Sequence, residues 1–265
     1  LDFGGIMNIL VCLKRVPDTA EAAVIPDSTG KDIVKDRLTF SINEADNYAL
    51  EEALLLKEKY GGTVTLLSFG PKTSEEVLRM GMAKGADSSI RLWDEKFVDA
   101  DYFTVAKVLA TACKTIPYDL ILNGCMATDD GYAAVGLCMA AILGLPNATY
   151  VSKIEIQDKK AKIRRELEGG LLEVKEINLP AVFAVQTGIN TPRYPSILGI
   201  KRAASKEIKV LDIAALNLAE ADFSAKTILE KLYIPIVEAK AEFLEGAPDE
   251  VSTQLAKIFK EKGVL

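Results

Sequence analysis

The feature that most constrains this chain is an alternation. Short apolar runs rich in branched residues recur between segments of helical periodicity as far as Leu145. Asn8–Leu13 (NILVCL), Thr63–Phe69 (TVTLLSF), Ser88–Trp93 and Asp119–Leu122 read as strands, and Asn43–Tyr60, Thr73–Lys84, Asp101–Thr115 and Gly131–Leu143 read as helices. Strands that are apolar on both faces belong to a parallel sheet covered on each side, and the intervening helices supply the crossovers. The expected fold class is therefore α/β, an open, mostly parallel, doubly wound sheet. Such sheets bind ligands beyond the carboxyl ends of their strands, where the strand order reverses.

Local signals refine this reading. Ala45, Tyr48, Ala49, Ala53 and Leu56 share one face of the first helix, with Asn43 as N-cap and Asp46 placed to complete the capping interaction. Gly61-Gly62 ends that helix. Pro17 breaks the loop Lys14–Thr19, and residues 26–41 read as a surface loop or hairpin. After Pro146 the period drops to two. Tyr150–Ile156, Ala161–Glu168 and Leu171–Ile177 predict a small antiparallel meander, followed by the strand Ala181–Gln186. Gly188–Ile200, rich in Pro, Gly and Asn, reads as a loop. From Leu211 onward no core pattern is visible until an amphipathic helix near Asp249–Lys262. The expected organisation is one domain over residues 7–210, including the meander (150–186) and the loop region 188–203. A C-terminal arm (211–265) would pack on another subunit.

Bulk properties narrow the function. The net charge of −6 lacks the basic surface that a nucleic-acid partner requires. The apolar stretch Ala133–Leu145 is too short and too Gly-rich to span a bilayer, so no membrane span is expected. Leu1–Ile6 is followed by Met7 and Asn8 without a long apolar region; it reads as no signal peptide and is set aside. Cys12, Cys113, Cys125 and Cys138 form no Cys-x-x-Cys pair and read as buried thiols of a reducing, cytoplasmic compartment. The chain has no histidine, which removes His-dependent triads, His-ligated metals and the commonest general base. The reading is a protein that positions a cofactor, with no catalytic residue or metal ligand of its own. Tyr48, Trp93 and Tyr118 are assigned to core or boundary packing.

Ala127–Cys138 (ATDDGYAAVGLC) is the strongest chemical candidate. Its small residues lead off a strand and open a helix, which lets main-chain N–H groups approach a phosphate at a helix N-terminus. Asp129 and Asp130 are expected to cap that helix, with their carboxylates turned from the phosphate. Taken alone, Thr128–Gly131 reads more readily as a capped turn than as a phosphate site. A metal site on the two aspartates lacks further ligands.

Several islands together resemble the beta (small) subunit of electron-transfer flavoproteins: VCLKRVPDT (Val11–Thr19), INEADNYALEEAL (Ile42–Leu54), GMAKGAD (Gly81–Asp87), DLILNGCMATDDGYAAVG (Asp119–Gly136) with LGLP (Leu143–Pro146), and LPAVFAV…INTPRYPSILGIKRA within Leu179–Ala203. The resemblance implies an adenine-nucleotide-binding α/β fold and a heterodimer. An alpha subunit would hold most of the FAD, and this chain would hold AMP. As an electron carrier rather than an independent enzyme, it would move electrons between acyl-CoA dehydrogenase-type flavoenzymes and downstream acceptors. In that family the phosphate stretch corresponds to Ala127, Thr128, Asp129, Asp130, Gly131 and Tyr132, continuing through Ala133, Ala134, Val135, Gly136, Leu137 and Cys138. Cys12, Asn43, Glu44, Ala45, Asp46 and Phe69 match positions around the adenosine.

In bifurcating members the same pocket holds a second FAD, which oxidises NADH and splits electrons between ferredoxin and an acyl-CoA-type dehydrogenase. Val16-Pro17-Asp18-Thr19 looks like that form. However, Tyr102 and Val105 replace hydroxyl residues of the bifurcating type. Met126 and Ala134 stand where many members have glutamine, and Tyr132 where a smaller residue is common. These departures favour AMP, with the second FAD as the alternative. Pro192–Ile197 resembles the family's docking loop, which makes Arg193, Tyr194, Pro195, Ile197 and Leu198 the docking residues and Ile197 the apolar anchor. Arg193, Lys201, Arg202, Lys206 and Lys209 are read as a basic patch around it or as ordinary solvated charges, and Arg193 alternatively as a subunit-interface residue. A stand-alone nucleotide-binding module is the reading from another class. For a pyrophosphatase of that kind, Lys14–Pro17 stands where a Ser-Gly-Gly-x-Asp-Ser-like loop is required.

Overall fold

In a computed structural model, residues 6–20, 23–236 and 241–264 are described. Residues 1–5 of the segment set aside above, and residues 237–240 and 265 of the expected arm, lie outside them. The elements are β1 (Met7–Cys12), β2 (Arg15–Pro17), β3 (Phe40–Ile42), α1 (Glu44–Tyr60), β4 (Gly62–Phe69), α2 (Glu75–Lys84), β5 (Ser88–Leu92), α3 (Tyr102–Cys113), β6 (Leu120–Gly124) and α4 (Val135–Leu143). They continue with β7 (Asn147–Gln157), β8 (Lys160–Glu166), β9 (Leu172–Asn178), β10 (Ala181–Val185), α5 (Ile197–Ser205), β11 (Lys209–Leu211), α6 (Glu220–Phe223) and α7 (Pro248–Glu261).

One sheet of nine strands runs β11-β5-β4-β1-β6-β10-β7-β8-β9. It is parallel from β11 to β7 and antiparallel across β7, β8 and β9, as the change of period after Pro146 predicted. A separate pair joins β2 to β3 antiparallel. The period-two geometry of β1 sorts its side chains between two cores. Ile9, Val11 and Leu13 pack with Leu50 and Ala53 of α1 and Leu78 and Met82 of α2. Leu10 and Cys12 pack with Ala106 and Leu109 of α3 and Met139 and Ala140 of α4. The chain leaves β1 for β4 on one side and returns to pair β6 on the other, so the order reverses between β1 and β6. That reversal defines the crevice at their carboxyl ends.

Three boundaries differ from the sequence reading. The helix expected from Gly131 starts at Val135, because Gly131 and Ala133 take left-handed conformations (φ 65° and 51°) that no α-helix accepts. The loop expected through Ile200 contains the start of α5 at Ile197. The Ser196 hydroxyl accepts the Gly199 N–H at 3.0 Å, and Gly199 lets α5 close on α2, where a Cβ would strike the Ala83 carbonyl. Arg79 then donates to the carbonyls of Ala203 and Ala204 at the helix end. Finally, the chain does not leave the α/β body at Leu211. β11 extends the sheet along β5, Leu211 and Leu216 are buried, and Phe223 meets Phe97 edge-on at 5.7 Å. Lys107 and Asp222 pair at 2.7 Å. These contacts join irregularly spaced residues to distant strands, which no periodicity announces. Among the described residues, no helix is long and apolar enough to cross a membrane.

The β1–β4 pairing begins with Met7 opposite Gly62, whose φ is 105° and whose added Cβ would fall on the Met7 carbonyl. Neighbouring Gly61 also has positive φ (74°) but open space around its Cα. Gly62→Ala is expected to cost about 3 kcal/mol or more, and Gly61→Ala only about 1 kcal/mol. Urea unfolding of the two variants beside wild type checks the contrast; equal losses would contradict this account of the strand pairing.

Candidate functional site

The crevice is built around one carboxylate. Asp46, in the first turn of α1, is 6% exposed. Its Oδ2 accepts the N–H of Lys14, just past β1, at 2.8 Å, and its Oδ1 accepts the N–H of Gly124, the last residue of β6, at 2.8 Å. The residue expected to complete a helix cap instead joins the ends of the two strands that diverge at the reversal. The same holds for Asn43, which is 1% exposed and occupies the N-cap without capping by its side chain. Its Nδ2 donates to the Met126 carbonyl at 3.0 Å and its Oδ1 accepts the Thr128 N–H at 3.1 Å. Both side chains find better donors and acceptors on the neighbouring loop than on their own helix. A Cβ on Gly124 would lie 2.5 Å from Asp46 Oδ1 and 2.7 Å from the Ala45 Cβ, so only glycine admits this approach.

The loop 126–134 is held at its middle by Lys14, whose Nζ lies 2.7 Å from Asp129 and 2.6 Å from Asp130. Burial acts to lower the Lys14 ammonium, but the two carboxylates outweigh it and hold it above the ordinary lysine value. Asp129 and Asp130 therefore do not cap α4. The helix starts downstream at Val135, and both carboxylates pair with Lys14. Ala134 occupies the N-cap of α4 and offers no side-chain acceptor, so the first turn keeps its N–H groups free of side-chain capping. Beneath it, Gly136 leaves room for the Asn123 carboxamide; an added Cβ would lie 2.5 Å from Asn123 Oδ1. That buried oxygen has no hydrogen-bond partner.

Of the residues predicted for the site, Asn43, Asp46, Thr128, Asp129 and Asp130 are linked by hydrogen bonds through Lys14 and Gly124 at the ends of β1 and β6, and Cys12 is the last residue of β1. Ala45 packs against Cys125 and Ala184 at the ends of β6 and β10. Glu44 is exposed on the first turn of α1. Phe69 lies farther along the same edge of the sheet, in an aromatic group with Trp93 (5.8 Å) and Phe97 (5.4 Å). The four cysteines are free, and burial raises their thiols, that of Cys113 up to about 12, so they are protonated at neutral pH. Among the described residues, no group of three or more acidic, cysteine or histidine side chains is placed to hold a metal.

The sequence reading missed four contributors. Lys14 was seen only as part of the loop after the first strand, Asn123 and Gly124 only within the stretch Asp119–Gly136, and Asp101 as the start of a helix. Asp101 Oδ1 accepts the Thr104 N–H at 2.8 Å, while Oδ2 accepts those of Lys226 (2.7 Å) and Thr227 (2.9 Å). Burial acts to raise this carboxyl, but the three N–H groups outweigh it and hold it at about 2. An Asp before a helix signals a cap; nothing in the sequence signals the strap at residues 226–227.

The expected docking residues are presented from a fixed base. The Arg193 guanidinium makes hydrogen bonds to Glu51 at 2.9–3.0 Å and to Glu58 at 2.6 Å, so it does not join a free basic patch. Lys206 is likewise committed, to the carbonyls of Ala86 and Asp87 at 3.0 Å. Pro195 is half-buried, whereas Tyr194, Ile197 and Leu198 are 94%, 77% and 62% exposed.

Comparison with known proteins adds independent findings. The family described as "Electron transfer flavoprotein domain" matches residues 32–216. The chain is 36% identical over 262 residues to the electron transfer flavoprotein subunit beta of Methylophilus methylotrophus, covering 96% of this chain and 98% of that protein. It is 35% identical over 257 residues to the protein of the same name from Bacillus subtilis, covering 97% and 98%. It is 34% identical over 265 residues to the caffeyl-CoA reductase-Etf complex subunit CarD of Acetobacterium woodii, covering 98% and 100%.

Asp46 makes the crevice sensitive to pH. Burial pushes its carboxyl up to about 6, against the N–H groups of Lys14 and Gly124, which pull it down. The folded chain therefore binds more protons here than the unfolded chain between roughly pH 4 and 6, and stability from this group falls as pH rises through that window, by about 3 kcal/mol. Asp46→Asn removes the titration. The stability of wild type minus that of Asp46→Asn is expected to fall by about that amount between roughly pH 4 and 7 in urea unfolding. A difference independent of pH would show that Asp46 is not the titrating group.

Proposed function

Since the chain belongs to the electron transfer flavoprotein family and serves electron transfer as its beta subunit, we propose that the crevice between β1 and β6 binds AMP, while an alpha subunit carries the FAD. The observation that supports this most directly is the pairing of an α4 first turn without side-chain capping with the unpartnered oxygen of buried Asn123 beneath it. The helix turn offers N–H donors to a phosphate, and the carboxamide offers an acceptor to a hydroxyl or amino group. The residues present fit an adenine nucleotide. Asp46 and Asn43 hold the strand ends and the loop apart at a fixed spacing, and Lys14 ties Asp129 and Asp130 away from the helix turn. The pairing offsets one of the two negative charges and holds both carboxylates on the lysine.

The FAD, when bound in the heterodimer, accepts an electron pair from a donor and releases electrons singly. This chain supplies the base on which that happens. Tyr194, Ile197 and Leu198 form the apolar surface for an acyl-CoA dehydrogenase-type partner, and the Arg193–Glu51 and Arg79–α5 contacts hold it rigid, so little loop entropy is lost on docking. The arm beyond Thr227 exposes Ile228, Tyr233, Ile236 and Phe243 and is assigned to the alpha-subunit contact. A second FAD in the same crevice is the competing occupant, favoured by the likeness to the caffeyl-CoA reductase-Etf complex subunit.

The test is coexpression with the alpha subunit, denaturation of the purified complex and chromatography of the released nucleotides. About one FAD and one AMP per heterodimer is the expected result. About two FAD without AMP would transfer the crevice to the competing occupant, and no nucleotide beyond a single FAD would remove it from nucleotide binding altogether.

A further inference from the structure

The loop 126–134 is made of small or short polar residues apart from Met126 and Tyr132. Tyr132 is 57% exposed, so its burial contributes little to the core. Its ring nevertheless lies against the ring of Tyr102, with centroids 5.3 Å apart and planes tilted by 40°. Tyr102 is the first residue of α3, and Tyr132 sits just ahead of α4. The two helices lie side by side on one face of the sheet, with their N-termini at the crevice end. The ring pair therefore bridges the gap between the two helix starts.

Each ring is held by a fixed backbone. Asp101 caps α3 through Thr104 and is clasped from outside by Lys226 and Thr227, which fixes the main chain at Tyr102. Tyr132 stands between left-handed Gly131 and Ala133, and its N–H donates to Asp130 Oδ1 at 3.2 Å. Asp130 is in turn held by Lys14. A left-handed alanine costs about 1 kcal/mol, a strain maintained only where surroundings impose it. Here it places an exposed aromatic ring against Tyr102 at the start of α3.

We propose that the Tyr102–Tyr132 pair closes the phosphate end of the crevice and limits its occupant to a mononucleotide. This rests on the reading of the crevice as an adenine-nucleotide site. A nucleotide with its phosphate at the first turn of α4 ends where the rings begin. One that continues through a second phosphate and a further sugar runs from α4 toward α3 and meets them. The barrier is the ring faces rather than the hydroxyls, because the two rings touch across the gap.

The test uses the full chain freed of nucleotide and titrated calorimetrically with AMP and with ADP-ribose, which carries the additional phosphate and sugar. Wild type is expected to bind ADP-ribose at least about tenfold more weakly than AMP. Tyr132→Ala and Tyr102→Ala are each expected to strengthen ADP-ribose binding and bring that ratio within about threefold. Tyr132→Phe, which keeps the ring, retains the wild-type ratio. A gain of binding cannot arise from misfolding, so the alanine variants remain informative even if less stable. Equal affinities in wild type, or alanine variants that do not gain ADP-ribose binding, overturn the proposal while leaving AMP binding in place. Failure of wild type to bind either probe overturns the nucleotide reading and the proposal together, and wild type alone distinguishes that case.

Discussion

Everything at the crevice depends on the two N–H groups that Asp46 accepts. Where a parallel sheet reverses its strand order, the chain beyond β1 and the end of β6 turn to opposite sides, and their last main-chain donors lose ladder partners. A carboxylate from α1 satisfies both at 2.8 Å. Charge-assisted hydrogen bonds of this kind contribute about 1.5–3 kcal/mol each, against a desolvation cost that lifts the carboxyl to about 6. The opposing effects are of similar size. The residue therefore serves geometry more than stability: no neutral side chain with a single acceptor oxygen joins both strands.

From that tie the other placements follow. Gly124 must lack a side chain because Asp46 and Ala45 occupy its space. Asn43, one turn earlier, then reaches the loop after β6 and fixes the carbonyl of Met126 and the N–H of Thr128. Lys14 leaves β1 with its N–H on Asp46 and its ammonium on Asp129 and Asp130, so one residue binds both layers of the site. The start of α4 is displaced downstream to Val135, where no side chain caps it. The two adjacent acids of this loop both pair with Lys14, which holds their carboxylates beside the end of β1.

Much of this order was legible in the sequence. The apolar runs and helical stretches located the strands and helices of the parallel sheet, and the shift to period two after Pro146 located the meander, because burial on both faces or on one leaves a direct mark on composition. The stretch 127–138, expected from its small residues to lead off a strand and open a helix, runs from the end of β6 into α4. What was not legible is what side chains do at chain distances no pattern encodes. Asn43 and Asp46 stand where a capping motif belongs, yet they bond across 78 to 85 residues to the β6 loop. Arg193 looked like a free docking cation, yet Glu51 and Glu58 lie on the facing helix. The spacing of Leu211, Leu216 and Phe223 shows no period, because each fills a separate gap beside α3, β5 or Phe97.

The same economy shapes the exposed surface. Two cations of the 193–206 segment are committed inward: Arg193 to α1, and Lys206 to the carbonyls between α2 and β5. What remains outward at its tip is apolar, and stiffened by Pro192, Pro195 and the Ser196 cap of α5. A partner recognised by such a surface would draw on shape and burial of Tyr194, Ile197 and Leu198 more than on long-range attraction. Specificity then depends on keeping the platform rigid, since a side chain that must be ordered on contact subtracts about 0.5–1.5 kcal/mol from the binding it provides. The pair of half-buried Arg193 with buried Glu51 meets that requirement with a bidentate geometry that lysine cannot reproduce.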